Sequence, residues 1–589
     1  MTTNLFVPRL RAHALSAPVG SGKTQAAIAW ITSPEQARQN VLYVAPTKRL
    51  IDQTARDLRA ATARTIGPAV RNVHLIHAGT AEPGQVKAEV LQSINGALEG
   101  DGLAQLVTTQ TFLAVVAKIK HPDRWCVILD EAFAPATFET FHLGADALKG
   151  WEHFSELFQI DPAQGHRILP RDGRRAMVEQ VAQGDFSTAG DRFKALEAAA
   201  LAVSNPAVRC ELVLTDGARA AVAGETPKKR SAAQDSGTSL QFASYVDPTA
   251  FAGFKEVLFL SALFEQTVLY HLWTKALGVT FEEHPQFPTH LLRDTHAEQG
   301  RFLAVGHLLH KDDTASLENL QREALTGKPG ATKPGTRVID HLVQTAAAHF
   351  GEEPFLLQSN DRYGYRAGAA CVPKVAQVIP AVAHGLNEFQ GVHNVAALAV
   401  TNPNPQQLEW IRARTGMKSG DITRAFRIHA TYQALGRCSI RTAGQSSAKV
   451  ALVVGAADAR FIHSQFPGAH WLGQVGTLPR LSGLLAQAET KEPGKVEALA
   501  QVILGHLQEV PAGVDRMPSR RLKDEVEKGQ VNLKPLGADV SFSWDRKTWQ
   551  RALHVACAAG CGWRMVGHSI ERVTAETYGF DQHHSAVMA

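Results

Sequence analysis

The sequence predicts an α/β protein: two tandem parallel-sheet domains, a helical insertion in the first, and a mainly helical C-terminal domain. Three observations carry that reading. Short β-rich runs alternate with helical stretches over the first 135 residues, and again from residue 337 to about 475. Two polar interruptions, rich in Gly, Pro and Lys, break the rhythm. The chain has 589 residues, and at roughly 100 to 200 residues per domain that is about three or four domains.

Taken in order, LRAHALSAPV ends in a short apolar strand and TQAAIAWITS is helical. NVLYVAP is β-rich, and TKRLIDQTARDLRAATAR carries apolar residues at helical spacing. VRNVHLIHA and LAQLVTTQ read as strands, QTFLAVVAKI as a helix, and WCVILDEAF as a buried strand ending in two acids. Strands separated by helices of this length imply βαβ units and a parallel sheet. Residues 140–250 lose the rhythm: Ala-dense runs near EAAALAVSN and the polar stretch GETPKKRSAAQDSGTS predict an inserted helical subdomain with a mobile loop. EVLFLSALF restores the β signal, placing the first domain at residues 1–275. HKDDTASLENLQREALTGKPGATKPGTR has the composition of a connector. With the alternating segments that follow it, it makes a second domain over 276–479, leaving 480–589 as a helical accessory domain.

Composition excludes several classes. Hydrophobic residues at 44% and charged residues at 20% are ordinary for a globular protein, so general disorder is ruled out. No uncharged apolar run reaches the roughly 18 residues of a bilayer span, and the start MTTNLFVPRLRAH lacks a signal-peptide core, so a cytoplasmic protein without membrane partners is expected. Six scattered cysteines signal neither a disulfide framework nor a metal cluster. A net charge of +5 permits a polyanionic partner without demanding one.

Two patterns carry chemistry. Ala17-Pro18-Val19-Gly20-Ser21-Gly22-Lys23-Thr24 is a phosphate-binding loop with Ala in place of the first Gly. Its glycines let backbone N–H groups close on phosphate oxygens, Lys23 reaches the β and γ phosphates, and Thr24 holds Mg²⁺. About a hundred residues on, Val127-Ile128-Leu129-Asp130-Glu131 delivers two adjacent acids from an apolar strand, one for the metal and one for the attacking water. The bland alternatives are a Gly-rich turn and a strand that happens to end in acids.

With these in hand, the chain resembles the superfamily 2 helicases and translocases of the DEAD/DEAH-like group. Ala17 to Thr24 is similar to motif I, Pro46-Thr47-Lys48-Arg49-Leu50-Ile51-Asp52-Gln53 to motif Ia, and Asp130-Glu131-Ala132-Phe133 to the DEAD/DEAH box. Val107 to Thr111 sits where a nucleic-acid-contacting Thr is expected, and Ser261-Ala262-Leu263 resembles motif III. His384-Gly385-Leu386-Asn387 stands for motif V, and Gln433-Ala434-Leu435-Gly436-Arg437-Cys438-Ser439-Ile440-Arg441 for motif VI, with one extra residue between its arginines.

The resemblance implies two RecA-like domains that bind ATP and Mg²⁺ between them and move on single-stranded nucleic acid, DNA ahead of RNA. It also implies replication or defence-complex proteins as possible partners. Lys23, Thr24, Asp130 and Glu131 form the nucleotide half in that reading, with Ala17, Gly20, Ser21 and Gly22 around the phosphates. Gln433, Arg437 and Arg441 approach from the second domain. Gln433, Gly436 and Arg437 share a helical face at i, i+3 and i+4, Arg441 lies a further turn along, and the γ-phosphate finger is assigned to Arg441. Thr47, Lys48, Arg49, Thr109, Gly385 and Asn387 would face the polymer, and Ser261 would couple the halves. Thr47 as a helix cap, Lys48 and Arg49 as a solvated face and Ser261 as a core hydroxyl are the alternatives. In the tail, Arg520, Arg521, Arg546, Lys547 and Arg551 interleaved with Trp544 and Trp549 suit either phosphate contact with stacking or a structural cap.

Overall fold

A computed structural model describes residues 10–64, 72–82, 84–142, 147–187, 190–213, 239–313, 315–322, 337–383, 388–478, 480–481, 493–511, 514–527, 546–558, 563–566 and 569–572. The chain divides into two compact units, Met1–Gln321 with Arg337–Leu481, and Arg322–Thr336 with Ser482–Ala589.

The larger unit begins with β1 (Arg11–Ser16), whose end turns through the phosphate loop into α1 (Lys23–Ile31). Then come β2 (Asn40–Ala45), α2 (Lys48–Arg64), β3 (Val73–Leu75), α3 (Val86–Gly96), β4 (Ala104–Thr108), α4 (Thr109–Val115) and β5 (Trp125–Asp130). All six residues of β2 and of β5 are buried, as a central parallel strand covered on both faces requires. Helix α2 turns Ile51, Ala55, Leu58 and Thr62 inward at helical spacing and leaves its charges outside.

The insertion follows β5 and is helical only in part. It contains β6 (Thr137–His142), α5 (Ala147–Leu157), β7 (Phe158–Asp161), β8 (Arg167–Pro170), α6 (Arg175–Ala182), α7 (Glu197–Ser204), β9 (Val208–Val213) and β10 (Ser239–Val246). Its strands form an antiparallel sheet in the order β6-β10-β9-β8-β7. The Ala-dense run does make a helix, α7, but SLQFASYV pairs with strands on both sides instead of coiling. Leu240 and Phe242 enter a core with Phe154 and Phe193, whereas Ala243 and Tyr245 face the neighbouring core, so both faces of β10 are covered. Most of the polar stretch expected as a loop lies outside the described residues.

The chain then returns through β11 (Glu256–Ser261), a short α8 (Val268–His271) and β12 (Thr280–Glu283), closing a seven-stranded parallel sheet of order β12-β1-β11-β5-β2-β4-β3. Past α9 (Thr295–Gln299), a second parallel sheet begins at β13 (Leu303–His307). It continues with α10 (Leu317–Gln321), α11 (Val338–Phe350), β14 (Phe355–Ser359), β15 (Ala376–Pro380), β16 (Asn394–Ala397), α12 (Pro405–Thr415), α13 (Ser419–Leu435), β17 (Lys449–Val453), α14 (Ala456–Gln465) and β18 (His470–Gln474), in the order β15-β14-β16-β17-β13-β18. The Gly/Pro/Lys-rich stretch read as an interdomain connector therefore follows the first strand of the second sheet. RFLAVGH is too short and too polar at its ends to have been recognised as that strand. The two tandem parallel-sheet α/β domains are as the sequence predicts.

The smaller unit sets α15 (Pro493–Glu509), α16 (Ser519–Glu527) and α17 (Arg546–Ala558) beside a three-stranded antiparallel sheet of β19 (Arg516–Pro518), β21 (Ser569–Arg572) and β20 (Trp563–Val566). Trp549 is 3% exposed and belongs to a core that also holds Ile503, Leu522 and Ile570. Trp549 is thus a packing residue and offers no stacking face, while Trp544 lies outside the described residues. Arg520 and Arg521 are exposed on α16. Among the described residues no helix is long and apolar enough to cross a membrane.

Candidate nucleotide site between the two parallel sheets

Three neighbouring strands deliver the site. In the order β1-β11-β5, Ser16 pairs with Ser261 and Leu260 with Asp130, so the phosphate loop, Ser261 and the acidic pair leave the same edge of the first sheet. A switch between strands at their carboxyl ends is where open α/β sheets bind ligands. The loop's backbone demands its glycines: Gly20 and Gly22 have φ of 75° and 92°, and a Cβ on Gly20 would stand 2.8 Å from Cα of Arg441 in the second domain. Gly22 is also the N-cap of α1, which aims the helix N-terminus into the loop. Ala17 donates its N–H to the Ser261 carbonyl at 3.3 Å, and Ser21 packs fully buried beneath the turn.

Lys23 Nζ donates to the carbonyls of Ala17 and Pro18, both at 3.0 Å. Burial lowers its pKa, and the two nearby carboxylates only partly oppose that. Thr24 Oγ1 donates to Asp130 Oδ2 at 2.8 Å, and the buried Tyr43 hydroxyl donates to the same oxygen. Burial, then the charge of Glu131, raises the Asp130 pKa. Glu131 itself has φ of 86°, a left-handed conformation costly for a side chain with Cβ, and its N–H is held by the Leu260 carbonyl at 2.8 Å.

From the second sheet, Gln433 Nε2 donates to both Glu131 oxygens at 3.2 Å, and Ser261 Oγ donates to Oε2 at 3.4 Å. Arg437 donates to Gln433 Oε1 at 3.0 Å. One hydrogen-bonded chain therefore runs from Arg437 through Gln433 to Glu131 and Ser261, crossing between the sheets. Burial lowers the Arg437 pKa, and burial followed by the charges of Arg437 and Arg293 brings Arg441 down to about 10. The cleft of about 250 Å³ is lined by four cations, Lys23, Arg293, Arg437 and Arg441, against the carboxylates of Asp130 and Glu131. Desolvated cations in excess of carboxylates suit a polyanion.

Motif VI is not one continuous helix. Helix α13 stops at Leu435 with Gly436 as its C-cap, and Arg441 ends a separate turn, Ser439–Arg441. The chain leaves the helix because the Ser439 N–H is taken by the Val392 carbonyl at 2.8 Å. Both arginines still line the cleft, Arg437 through Gln433 and Arg441 against the glycine loop. The residues expected at the polymer are partly placed. Thr47 Oγ1 accepts from the Leu50 N–H at 3.2 Å, capping α2, and Lys48 and Arg49 follow it exposed. Thr109 opens α4, and because Ala45 pairs with Thr108 the two segments leave adjacent strand ends. Arg49 pairs with Glu388, immediately after the motif V residues, but Gly385 and Asn387 lie outside the described residues.

The sequence reading missed four residues here: Tyr43 under Asp130, Tyr432, His296 and Arg293. Tyr432 OH accepts from the Val19 N–H at 3.1 Å and meets His296, whose pKa burial lowers to about 4, so that imidazole is neutral near pH 7. Arg293 donates to the Arg441 carbonyl. A tyrosine inside the apolar run NVLYVA is the one local signal, since its buried hydroxyl needs a partner.

Residues 5–133 match the family described as DEAD/DEAH box helicase. The stretch matched is the first part of the first domain, and over it the chain is similar to that family. The match spans the phosphate loop and the DEAF box, the two motifs whose geometry is set out above. No curated protein matches the chain. Solved structures similar to this chain include Mss116p bound to ssRNA and AMP-PNP, at 10% identity and a TM-score of 0.28, covering 93% of this chain and 83% of that one. S. cerevisiae Dbp5 bound to RNA and ADP BeF3 aligns at 10% identity and 0.31, covering 82% and 89%. RecG bound to a three-way DNA junction aligns at 12% and 0.29, covering 82% and 44%. Scores of this size leave the fold to rest on the chain's own strand orders.

Proposed function

We propose that the chain hydrolyses ATP in the cleft between its two parallel-sheet domains and couples turnover to movement on single-stranded nucleic acid, DNA ahead of RNA. The observation that supports this best is the chain Arg437–Gln433–Glu131–Ser261. It puts the proposed base for the attacking water in direct contact with the second domain, so a change at the γ-phosphate reaches both sheets through one carboxylate. Glu131 accepts the water proton, Lys23 draws the β and γ phosphates, and Arg437 and Arg441 offset charge that builds in the transition state.

The residues also fit Mg²⁺. Thr24 Oγ1 and Asp130 Oδ2 are hard oxygens 2.8 Å apart, the donor type this ion prefers. Bound by them, Mg²⁺ would neutralise phosphate charge. Thr47, Lys48, Arg49 and Thr109 supply hydroxyls, cations and two helix starts at adjacent strand ends, a set that grips phosphates without reading bases. ATP turnover is to be measured with and without Mg²⁺, in the presence of single-stranded DNA, duplex DNA or RNA, followed by displacement on 3′- and 5′-tailed duplexes. Stimulation by single-stranded DNA with displacement supports the proposal. Stimulation by RNA alone moves the polymer to RNA, and polymer binding without turnover defeats the motor reading.

A further inference from the structure

Leu292 is 67% exposed, the most exposed large apolar side chain among the described residues. An isolated exposed leucine needs no explanation, but this one is held at the mouth of the nucleotide cleft. Its N–H donates to the Ser21 carbonyl at 3.0 Å, and a Cβ on Gly22 would stand 2.8 Å from Leu292 Cγ. Just before it, Phe287 is buried with its ring centroid 5.2 Å from that of Trp30 on α1. Just after it, Arg293 is bound to the Arg441 carbonyl. The segment is therefore pinned on both sides of Leu292, and the isobutyl group is presented beside Gly22 and Thr24.

Resting on the ATP reading above, we propose that Leu292 is the platform for the base of a bound nucleoside triphosphate, and that the site discriminates weakly among bases. Lys23, Glu131 and Gln433 mark the γ end of the phosphate chain. The nucleoside end must then leave past Gly22 and Thr24, where Leu292 stands. An isobutyl group packs against the face of any base, and it has no donor or acceptor for a base edge. Strong rejection of the wrong base needs buried hydrogen-bonding groups that would be left unpaired, whereas an apolar contact accepts each ring alike. The nearby Gln25 amide is turned to Asp57 Oδ2 at 3.4 Å on α2.

The test uses the full chain with Mg²⁺ and titration calorimetry, with ATP, GTP, CTP, UTP and inorganic tripolyphosphate as probes. Wild type should bind the four nucleotides within about tenfold of one another. Leu292→Ala should weaken all four by about 3- to 10-fold, the share of one exposed leucine face, with tripolyphosphate unchanged. Because the side chain is exposed, its removal leaves the fold intact. A preference above about 100-fold for one base, unchanged nucleotide affinity in the variant, or an equal loss for tripolyphosphate overturns the proposal. A wild-type protein that binds neither nucleotides nor tripolyphosphate defeats the ATP reading itself, and that result appears before any substitution is made.

Discussion

Arg414 on α12 reaches the insertion, donating to the Glu211 carboxylate and, at 3.1 Å, to the Gly165 carbonyl. Glu211 is 2% exposed and also accepts from Tyr245 OH at 2.5 Å. Trp410, one turn earlier on α12, meets Phe138 and Tyr245 edge-on or tilted at 5.6 and 5.5 Å. Arg414→Ala leaves Glu211 as a buried carboxylate without its cation. Removing one partner of a buried pair costs about 3–5 kcal/mol, and the one-third exposure of Arg414 trims that to about 2–3 kcal/mol at neutral pH. Burial raises the Glu211 pKa, with Tyr245 and Arg414 opposing it. A carboxyl with a higher pKa folded than unfolded binds more protons in the fold, so stability falls as pH rises from its ordinary value towards the folded one. Without Arg414 that rise is larger, so the variant takes up its proton at a higher pH than wild type and the penalty should shrink on going from about pH 7.5 to about pH 5. Thermal unfolding of Arg414→Ala, Glu211→Gln and the double variant at both pH values reads this out. The double variant should lose less than the sum of the singles. An equal penalty at the two pH values, with strict additivity, would show that the pair contributes packing alone.

Three further outcomes follow from the cleft and the tail. Lys23→Ala should abolish hydrolysis and weaken ATP binding, whereas Glu131→Gln should bind ATP and turn over slowly; wild-type turnover in the latter removes Glu131 as the base. Of Arg437→Ala and Arg441→Ala, the one that loses the transition-state contact should drop kcat by about 10³-fold or more with ATP affinity kept. We expect Arg441 to be that one, because it stands against Gly20 of the glycine loop whereas Arg437 acts on Gln433 and through it on Glu131, and the reverse pattern in a stopped-flow assay inverts the assignment. Replacing the exposed Arg520 and Arg521 together by Ala should lower the slope of log affinity against log salt by about 1–2 if each meets a phosphate. An unchanged slope makes α16 a structural cap.

The motifs at strand ends were legible because their chemistry fixes residue types over a few positions. A phosphate loop needs glycines, a lysine and a hydroxyl in one turn, and Asp130 needs an apolar strand to place it. What decides the rest is distant in sequence. Tyr43 finds Asp130 across 87 positions, and Arg293 finds the Arg441 carbonyl across 148, so no local pattern announces either. The insertion's sheet was hidden because strands such as RILP and FETFH are short and antiparallel, and they pair with partners distant in the chain or joined by a tight turn, outside the regular strand–helix–strand rhythm that made the parallel strands visible. The end of α13 was hidden for a related reason. Gly436 keeps helical angles (φ −65°), and it is a tertiary bond to Val392 that draws the next residues away.

The strained backbone at Glu131 explains how two adjacent acids serve different partners. On a regular strand, successive side chains point to opposite faces, and neither face here is free, because β5 is buried throughout. The φ of 86° turns the chain just after Asp130, leaving Asp130 with Thr24 and Tyr43 and sending Glu131 to Ser261 and Gln433. Such a conformation costs on the order of 1–3 kcal/mol, and it persists only where neighbours hold it. The Leu260 carbonyl holds the N–H and Gln433 holds the carboxylate, so the first domain supplies the turn and the second supplies the reason to keep it. Burial, and then the charge of Glu131, raise the Asp130 pKa, and the hydrogen bonds from Tyr43 and Thr24 oppose that rise. One backbone angle thus separates the hydrogen-bond partners of the two acids, and that angle is held by the Leu260 carbonyl of the first domain together with Gln433 of the second.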